Sequence, residues 1–176
     1  MTYRASYLSP LGAITLASDG ETLTGLWFDG QKYFGSTLPA ETKQGDCPVF
    51  VQAKRWLDSY FTGEKPNFTP PLHWAATPFR RAVWEILLTV PYGCTTTYGQ
   101  IAAQLADRIG KPQSAQAVGG AVGHNPISLI VPCHRVVGAD GSLTGYAGGI
   151  DRKVKLLAME GADMSGLFIP ARGTAL

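Results

Sequence analysis

No apolar run in the 176 residues approaches the roughly 20 needed to cross a bilayer, so the sequence predicts no membrane-spanning helix. The opening MTYRASYLSPLG lacks a basic stretch followed by an apolar one, and with it the pattern of a secretory signal. Cysteine is scarce: Cys47, Cys94 and Cys133 are an odd number, and none falls in a Cys-x-x-Cys arrangement. A disulfide framework is therefore not expected, and the chain reads as a protein of a reducing, cytoplasmic setting. Metal ligands are equally thin. Cys47 and His73 are too few for a zinc site in the first half, so no metal is expected. There is no internal repeat and no low-complexity segment.

What is present describes a globular chain, because 45% hydrophobic and 16% charged residues are not the composition of a disordered one. Net charge is only +2. Nine of the fifteen Lys and Arg nevertheless lie from Pro78 onward, against six of the thirteen acidic residues, which makes the second half the basic half. In the first half, YRASYLS, AITLAS and LTGLWF are β-rich runs separated by the turn residues of SPLG and SDGET, the pattern of an antiparallel meander. PVFVQAKRWLDSYFTG follows, with Val51, Trp56, Leu57, Tyr60 and Phe61 near helical spacing. The proline-rich EKPNFTPPLHWAATP predicts a boundary. Residues 1–76 then form an α/β domain with its linker, and residues 77–176 a second domain.

The second part reads as mainly helical. Thr77-Pro78 is an N-cap followed by Pro at the first helical position, opening FRRAVWEILLTV. TTTYGQIAAQLAD and SAQAVGGAVG predict two short helices joined by a tight turn, a helix-turn-helix, and DRKVKLLAMEG predicts a last helix ending at Gly161. ISLIV reads as a β-branched strand leading to Pro132. The helix of SAQAVGGAVG has almost no bulk, with Ala115, Ala117, Gly119, Gly120 and Ala121. Each glycine inside a helix costs about 1 kcal/mol relative to alanine, so some close approach must offset it. That approach is either tight packing on a neighbouring helix or contact with a phosphodiester backbone.

Cys133 lies in SLIVPCHRVVG, where a thiol in an apolar run is either inert core or a nucleophile. Pro132 puts it at the end of an element, and His134 follows as a candidate base. Arg135 supplies a positive charge expected to favour the thiolate. On an extended strand His134 would point away from Cys133, so it needs a turn or a bridging water to act there. A base also needs an orienting partner. Of Asp140, Asp151, Glu160 and Asp163 the candidate is Glu160, because a carboxylate at a helix C-terminus opposes the helix dipole and must serve something else.

VPCHRVVG closely resembles the active-site motif of the 6-O-alkylguanine-DNA alkyltransferases, also called methylated-DNA–protein-cysteine methyltransferases. The likeness extends through TPFRRAVWEILLTVPYG, TTYGQIAAQLA and AVGGAVGHNPISLIVPCHRVVGADGSLTGYAGGIDRKVKLLAMEG, about residues 77–161. It implies a ribonuclease H-like N-terminal α/β domain and a mainly helical C-terminal domain with a winged helix-turn-helix. It also implies DNA repair by direct damage reversal. A suicide enzyme of this kind moves an alkyl group from the 6-oxygen of guanine, or the 4-oxygen of thymine, to Cys133, once and without a cofactor. Its partner would be double-stranded DNA containing alkylated guanine, bound by a monomer with the damaged base flipped out, and no membrane is involved.

Within the site the resemblance makes Cys133 the nucleophile, His134 its base through a water, and Glu160 the group that holds the imidazole. Asn125 would pin the turn beneath the active-site strand, and Tyr98 would donate to the departing guanine. The carbonyls of Cys133 and Val136 would accept the guanine amino group. Arg135 and the loop through Tyr146, Ala147 and Gly148 would line the pocket, with the amide of Ala147 reaching the alkylated oxygen. Thr97, Gly99, Ser114, Ala115, Gln116, Gly119, Gly120 and Gly123 would lie along the minor groove of the DNA.

The chain departs from the family at a few positions. An arginine commonly fills the gap left by the flipped base, and Gln116 stands in its place here, with Arg108 or Lys111 as candidate substitutes. His124 stands where a glycine often follows the helix, and reads as a cap. Cys94, after a turn glycine, reads as a small half-buried residue. Three rival readings differ in kind. A non-catalytic relative that binds alkylated DNA lacks the cysteine kept here, a Cys-His-Glu hydrolase would turn over repeatedly, and a transcriptional regulator would use the same helices as a switch.

Overall fold

The computed structural model describes residues 1–171; the end of the second domain as read from the sequence, 172–176, lies outside the described residues. The chain divides into two units, Met1–Ala75 with Pro126–Ile130, and Ala76–Asn125 with residues 131 onward.

In the first unit, β1 (Tyr3–Ser9), β2 (Gly12–Ser18) and β3 (Leu23–Phe28) form the antiparallel meander, and β4 (Lys43–Gln44) adds parallel to β1 in the order β3-β2-β1-β4. Ser9 pairs with Gly12, so the first hairpin turns on Pro10 and Leu11 alone. Ile14, Leu16, Leu23, Leu26 and Phe28 of this sheet are fully buried. They are packed by α1 (Pro48–Phe61), which buries Val49, Phe50, Ala53, Trp56, Leu57 and Tyr60. Those positions recur at three- and four-residue spacing, the apolar stripe of an amphipathic helix. Val51, expected on that stripe, lies off it and is 52% exposed.

ISLIV does not form the strand that its β-branched residues predict. Only Ile127 pairs, as an isolated bridge to Leu26, and Ser128–Ile130 turn, with Leu129 at φ +70°. The run lies between Pro126 and Pro132, which have no amide to give to a ladder. It is anchored instead at two points: Leu26 N donates to the Pro126 carbonyl at 2.8 Å, and Ser128 N to the Leu26 carbonyl at 2.9 Å.

The second unit holds α2 (Pro78–Leu87), α3 (Tyr98–Ile109), α4 (Ala115–Gly123) and α5 (Ile150–Met159). Their starts are set locally. The Thr77 side chain accepts from Arg80 N, Thr97 and Gln100 form a reciprocal capping box, and the Ser114 side chain accepts from Ala117 N. Gly110 closes α3 in the left-handed region at φ 76°, and the short turn to Ser114 makes α3 and α4 a helix-turn-helix. Both helices pack on α2, where Trp84 Nε1 donates to the Ala121 carbonyl at 2.8 Å. A two-stranded parallel ladder joins β5 (Thr96–Thr97) to β6 (Val136–Val137) and sets the start of α3 beside the residues that follow Cys133. Behind it Val137, Leu143, Leu157 and Ala162 form a buried cluster, with Val154, Met164 and Leu167 packed against them. Among the described residues no helix is long and apolar enough to cross a membrane.

Candidate active site

Cys133–Arg135 form a single 3-10 turn between Pro132 and β6. The expected strand end is thus replaced by a turn in which successive side chains diverge by about 120°, because 3-10 geometry has three residues per turn. Cys133 is 4% exposed and His134 fully buried. The Cys133 amide donates to the Val131 carbonyl at 2.8 Å, and Asn125 Nδ2 donates to the same carbonyl at 2.8 Å. The Asn125 side chain also hydrogen-bonds Cys133. Asn125 thus holds the turn that leads into Cys133 and touches the thiol as well.

His134 Nε2 lies 2.7 Å from Glu160 Oε1, both side chains fully buried. Since a carboxylate only accepts, Nε2 carries the proton and Nδ1 is the acceptor nitrogen of the neutral ring. The Tyr146 ring meets the imidazole edge-on, with centroids 6.3 Å apart. Glu160 is the C-cap of α5, so its oxygens reach the site from the end of that helix. Burial alone pushes the Glu160 carboxyl up, but hydrogen bonds from His134 and Arg135, and their charges, hold it at about 2. His134 is pushed down by burial; Glu160 opposes that, while Arg135 and Lys153 add to it.

The Cys133 thiol is pushed up by burial, which outweighs the Asn125 hydrogen bond and the Lys153 charge acting the other way. At rest the group is a thiol. Arg135 does not supply the expected charge to it. Its guanidinium is committed to Glu160, with Nη2 to Oε1 at 2.8 Å and Nε to Oε2 at 2.9 Å, and Nη1 donates to the Val90 carbonyl at 2.8 Å. Arg135 thus sits behind the carboxylate and does not line a pocket at the thiol.

The cation that acts on Cys133 is Lys153, a residue the sequence reading missed. It is fully buried on α5, and its ammonium donates to the Val136 carbonyl at 2.5 Å and the Thr144 carbonyl at 2.8 Å. A signal was there: Lys153 falls three and four residues before Leu156 and Leu157, on the apolar face of its helix. Burial pushes Lys153 down to about 8, against the pull of Cys133. The Val136 carbonyl, expected to face a guanine amino group, already accepts from Lys153, and the Cys133 carbonyl accepts from Val136 N. A carbonyl has two lone pairs, so each retains one acceptor direction. Tyr98 OH donates to the Thr144 carbonyl at 3.2 Å, and burial raises its phenol to about 12.

The loop after Thr144 turns tightly, with Gly149 N donating to the Tyr146 carbonyl at 2.9 Å. Gly148 is buried under the Tyr146 ring, and a Cβ there would lie 2.5 Å from a ring carbon, so only glycine lets the ring lie down. Ala147 is partly exposed between them.

The surface positions separate from this buried set. Gly99, Ser114, Ala115, Gln116 and Gly120 are exposed, and Thr97 and Gly119 partly so. Gly123 is not among them: it is buried, because the last turn of α4 faces inward with Ala121 and Val122. A Cβ on Gly120 would meet nothing within 4 Å, and one on Gly119 only the Tyr98 ring at 3.7 Å, an ordinary contact. A methyl group at either position would therefore be accommodated without displacing a neighbour. His124 caps α4, its Nδ1 donating to the Gly120 carbonyl at 2.7 Å. Arg108 pairs with Glu85 at 3.5 Å, with both side chains about half exposed. Cys94 is exposed, not half-buried.

Residues 78–162 match the family model described as 6-O-methylguanine DNA methyltransferase, DNA binding domain, and residues 2–74 match that family's ribonuclease-like domain. The methylated-DNA–protein-cysteine methyltransferase of Mycobacterium tuberculosis is 49% identical over 153 residues, 86% of this chain and 88% of that protein. The protein of the same name from Haemophilus influenzae is 42% identical over 90% of this chain and 86% of its own. Among solved structures, Mycobacterium tuberculosis OGT in complex with DNA superposes with a TM-score of 0.78 at 46% identity, covering 90% of this chain and 92% of that one.

Proposed function

The chain belongs to the 6-O-methylguanine DNA methyltransferase family, and we propose that it repairs DNA by moving a methyl group from the 6-oxygen of guanine to Cys133. The observation that carries the assignment to this residue is the buried cysteine held by Asn125 beside a His134–Glu160 pair 2.7 Å apart. The Cys133 proton passes to Nδ1 of His134 through a water, since the 3-10 turn sends the two side chains in different directions. Sulfur attacks the methyl carbon, the carbon–oxygen bond breaks, and guanine leaves with the electron pair. Tyr98 turns its one O–H from the Thr144 carbonyl to the departing base, which ends protonated at N1. The net change is one methyl moved from oxygen to sulfur and one proton from sulfur to N1. A thioether has no route back to a thiol here, so each molecule acts once.

DNA is the partner, as it is of the Mycobacterium tuberculosis OGT solved with it. The target oxygen is stacked inside a duplex, so the base must be flipped out to reach a cysteine this deeply buried. The exposed small residues of α4 suit a narrow groove. Incubation with a duplex containing 6-O-methylguanine is expected to add the mass of a single methyl group per chain, on the peptide carrying Cys133. Repeated turnover would replace this reading by that of a thiol hydrolase, and label on Cys94 would move the nucleophile.

Gln116, exposed on the first turn of α4, sets a second expectation. An arginine there would fill the vacated stack and approach phosphates. Gln116→Arg is expected to speed repair of duplex DNA and steepen the salt dependence of binding by roughly one charge, leaving reaction with free 6-O-methylguanine unchanged. Single-turnover rates on both substrates check this. An equal gain on the free base would place Gln116 in the pocket.

A further inference from the structure

Arg135 lies one residue from the base and two from the nucleophile, yet its guanidinium donates to neither. All three guanidinium nitrogens are engaged: Nη2 and Nε fork the two oxygens of Glu160, and Nη1 donates to the Val90 carbonyl. The Tyr92 ring lies under the guanidinium, 5.7 Å from centroid to carbon. Gly93 N completes the arrangement by donating to Glu160 Oε2 at 3.3 Å. Gly93 is at φ +78°, and a Cβ there would come within 2.9 Å of the Glu160 carbonyl, so this approach is open only to glycine. Glu160 therefore accepts from His134, Arg135 and the turn at Gly93, on both oxygens.

The geometry points to Arg135, held by the Val90–Gly93 turn, as a positioning residue: it fixes the Glu160 carboxylate in one orientation and takes up part of its charge, so that His134 stays neutral and able to accept the Cys133 proton. This rests on the reading of Cys133 and His134 as nucleophile and base. The physical reason is competition for one buried anion. A buried carboxylate needs a compensating cation. With Arg135 in place that need is met, and Glu160 orients the imidazole through a single hydrogen bond. Without it, the titratable group closest to the carboxylate is His134, which would take up a proton and become the counter-ion. An imidazolium accepts no proton from a thiol. The other groups facing the pair are Cys133, Lys153, Tyr146 and Tyr92. Lys153, like Arg135, opposes a charged His134, and Tyr92 and Tyr146 sense the Glu160 charge.

The test is the titration of the His134 imidazole by NMR in the full-length protein, run beside the pH profile of single-turnover methyl transfer. The chain has only His73, His124 and His134, which keeps the signals separable. Arg135→Met is expected to raise the His134 midpoint by about one pH unit or more, and to move the acid limb of the rate profile up with it. Arg135→Lys keeps the charge and loses the fork, so its midpoint should stay near that of the parent while the rate at high pH falls. If the Met variant does not fold, Arg135→Gln carries the same upward expectation. A midpoint unmoved in the neutral variants, with only a uniformly lower rate, would overturn the proposal and leave Arg135 a structural ion pair. Parent protein that gains no methyl on Cys133 would instead overturn the repair reading, and the imidazole titration would still decide the clamp.

Discussion

Replacing Cys133 by alanine is expected to abolish methyl transfer completely while leaving a folded protein that still binds DNA. The other two thiols have none of the surroundings that make Cys133 a nucleophile. Cys94 is exposed, and Cys47 stands at the N-cap of α1 in the other unit. Neither shares Asn125, His134 or Lys153. Without an assisting base the reaction of a thiol with an alkyl ether is negligible. Removing one sulfur from a small buried side chain costs about 1 kcal/mol, well within the stability of a domain of this size. Mass spectrometry after long incubation with 6-O-methylguanine duplex, beside a binding measurement on the same duplex, checks both halves. A methyl adduct anywhere in the variant would show that another residue carries the reaction.

Glu160→Gln is expected to damage both rate and stability, because one carboxylate serves a base and a buried cation together. An amide still accepts one hydrogen bond from His134 but no longer favours the charge that builds on the imidazole as it takes the thiol proton. Losing that support should slow transfer by about 10²-fold, the lower range for general base assistance. Arg135 would be left buried with no counter-ion, a change that typically costs about 3–5 kcal/mol, or a fall of roughly 10 °C in melting temperature for a chain of this length. The pH dependence identifies the cause. Burial acts to raise the Glu160 carboxyl, yet the hydrogen bonds and charges of His134 and Arg135 hold it down at about 2, against 4.5 for an ordinary glutamate. A folded-state value below the unfolded one stabilises the protein above the unfolded value, and that stabilisation is lost as pH falls toward the folded one. The gap between parent and variant should therefore be full above about 4.5 and shrink between there and about 2. Denaturant unfolding across that window measures it. A gap independent of pH would mean that the substitution harms packing and not the ion pair.

Much of the site is local in the chain and could be read there. The adjacency of Cys133 and His134, the proline before them, the caps at Thr77 and Ser114, and the small residues of α4 each depend on neighbours a few positions away. Glu160 was legible for a related reason: a carboxylate at a helix C-terminus is out of place by its own helix's electrostatics. The helices and the first meander follow from periodicity and turn chemistry alone. What the chain does not display locally is where a long side chain points. Arg135 turns to Glu160 and Val90, 25 and 45 positions away, and not to the thiol beside it. Lys153 crosses 17 positions to the Val136 carbonyl and so becomes the cation near Cys133. Gly93 reaches a carboxylate 67 positions on. ISLIV has the composition of a strand, but the ladder it would need is replaced by two anchors on Leu26. Local sequence determines which backbone conformations and which amphipathic faces form, because those terms act over three or four residues. Pairing among buried charges and carbonyls is decided only when packing excludes water, since that is when each buried polar group must find a partner and the choice depends on which groups the tertiary fold has brought within reach.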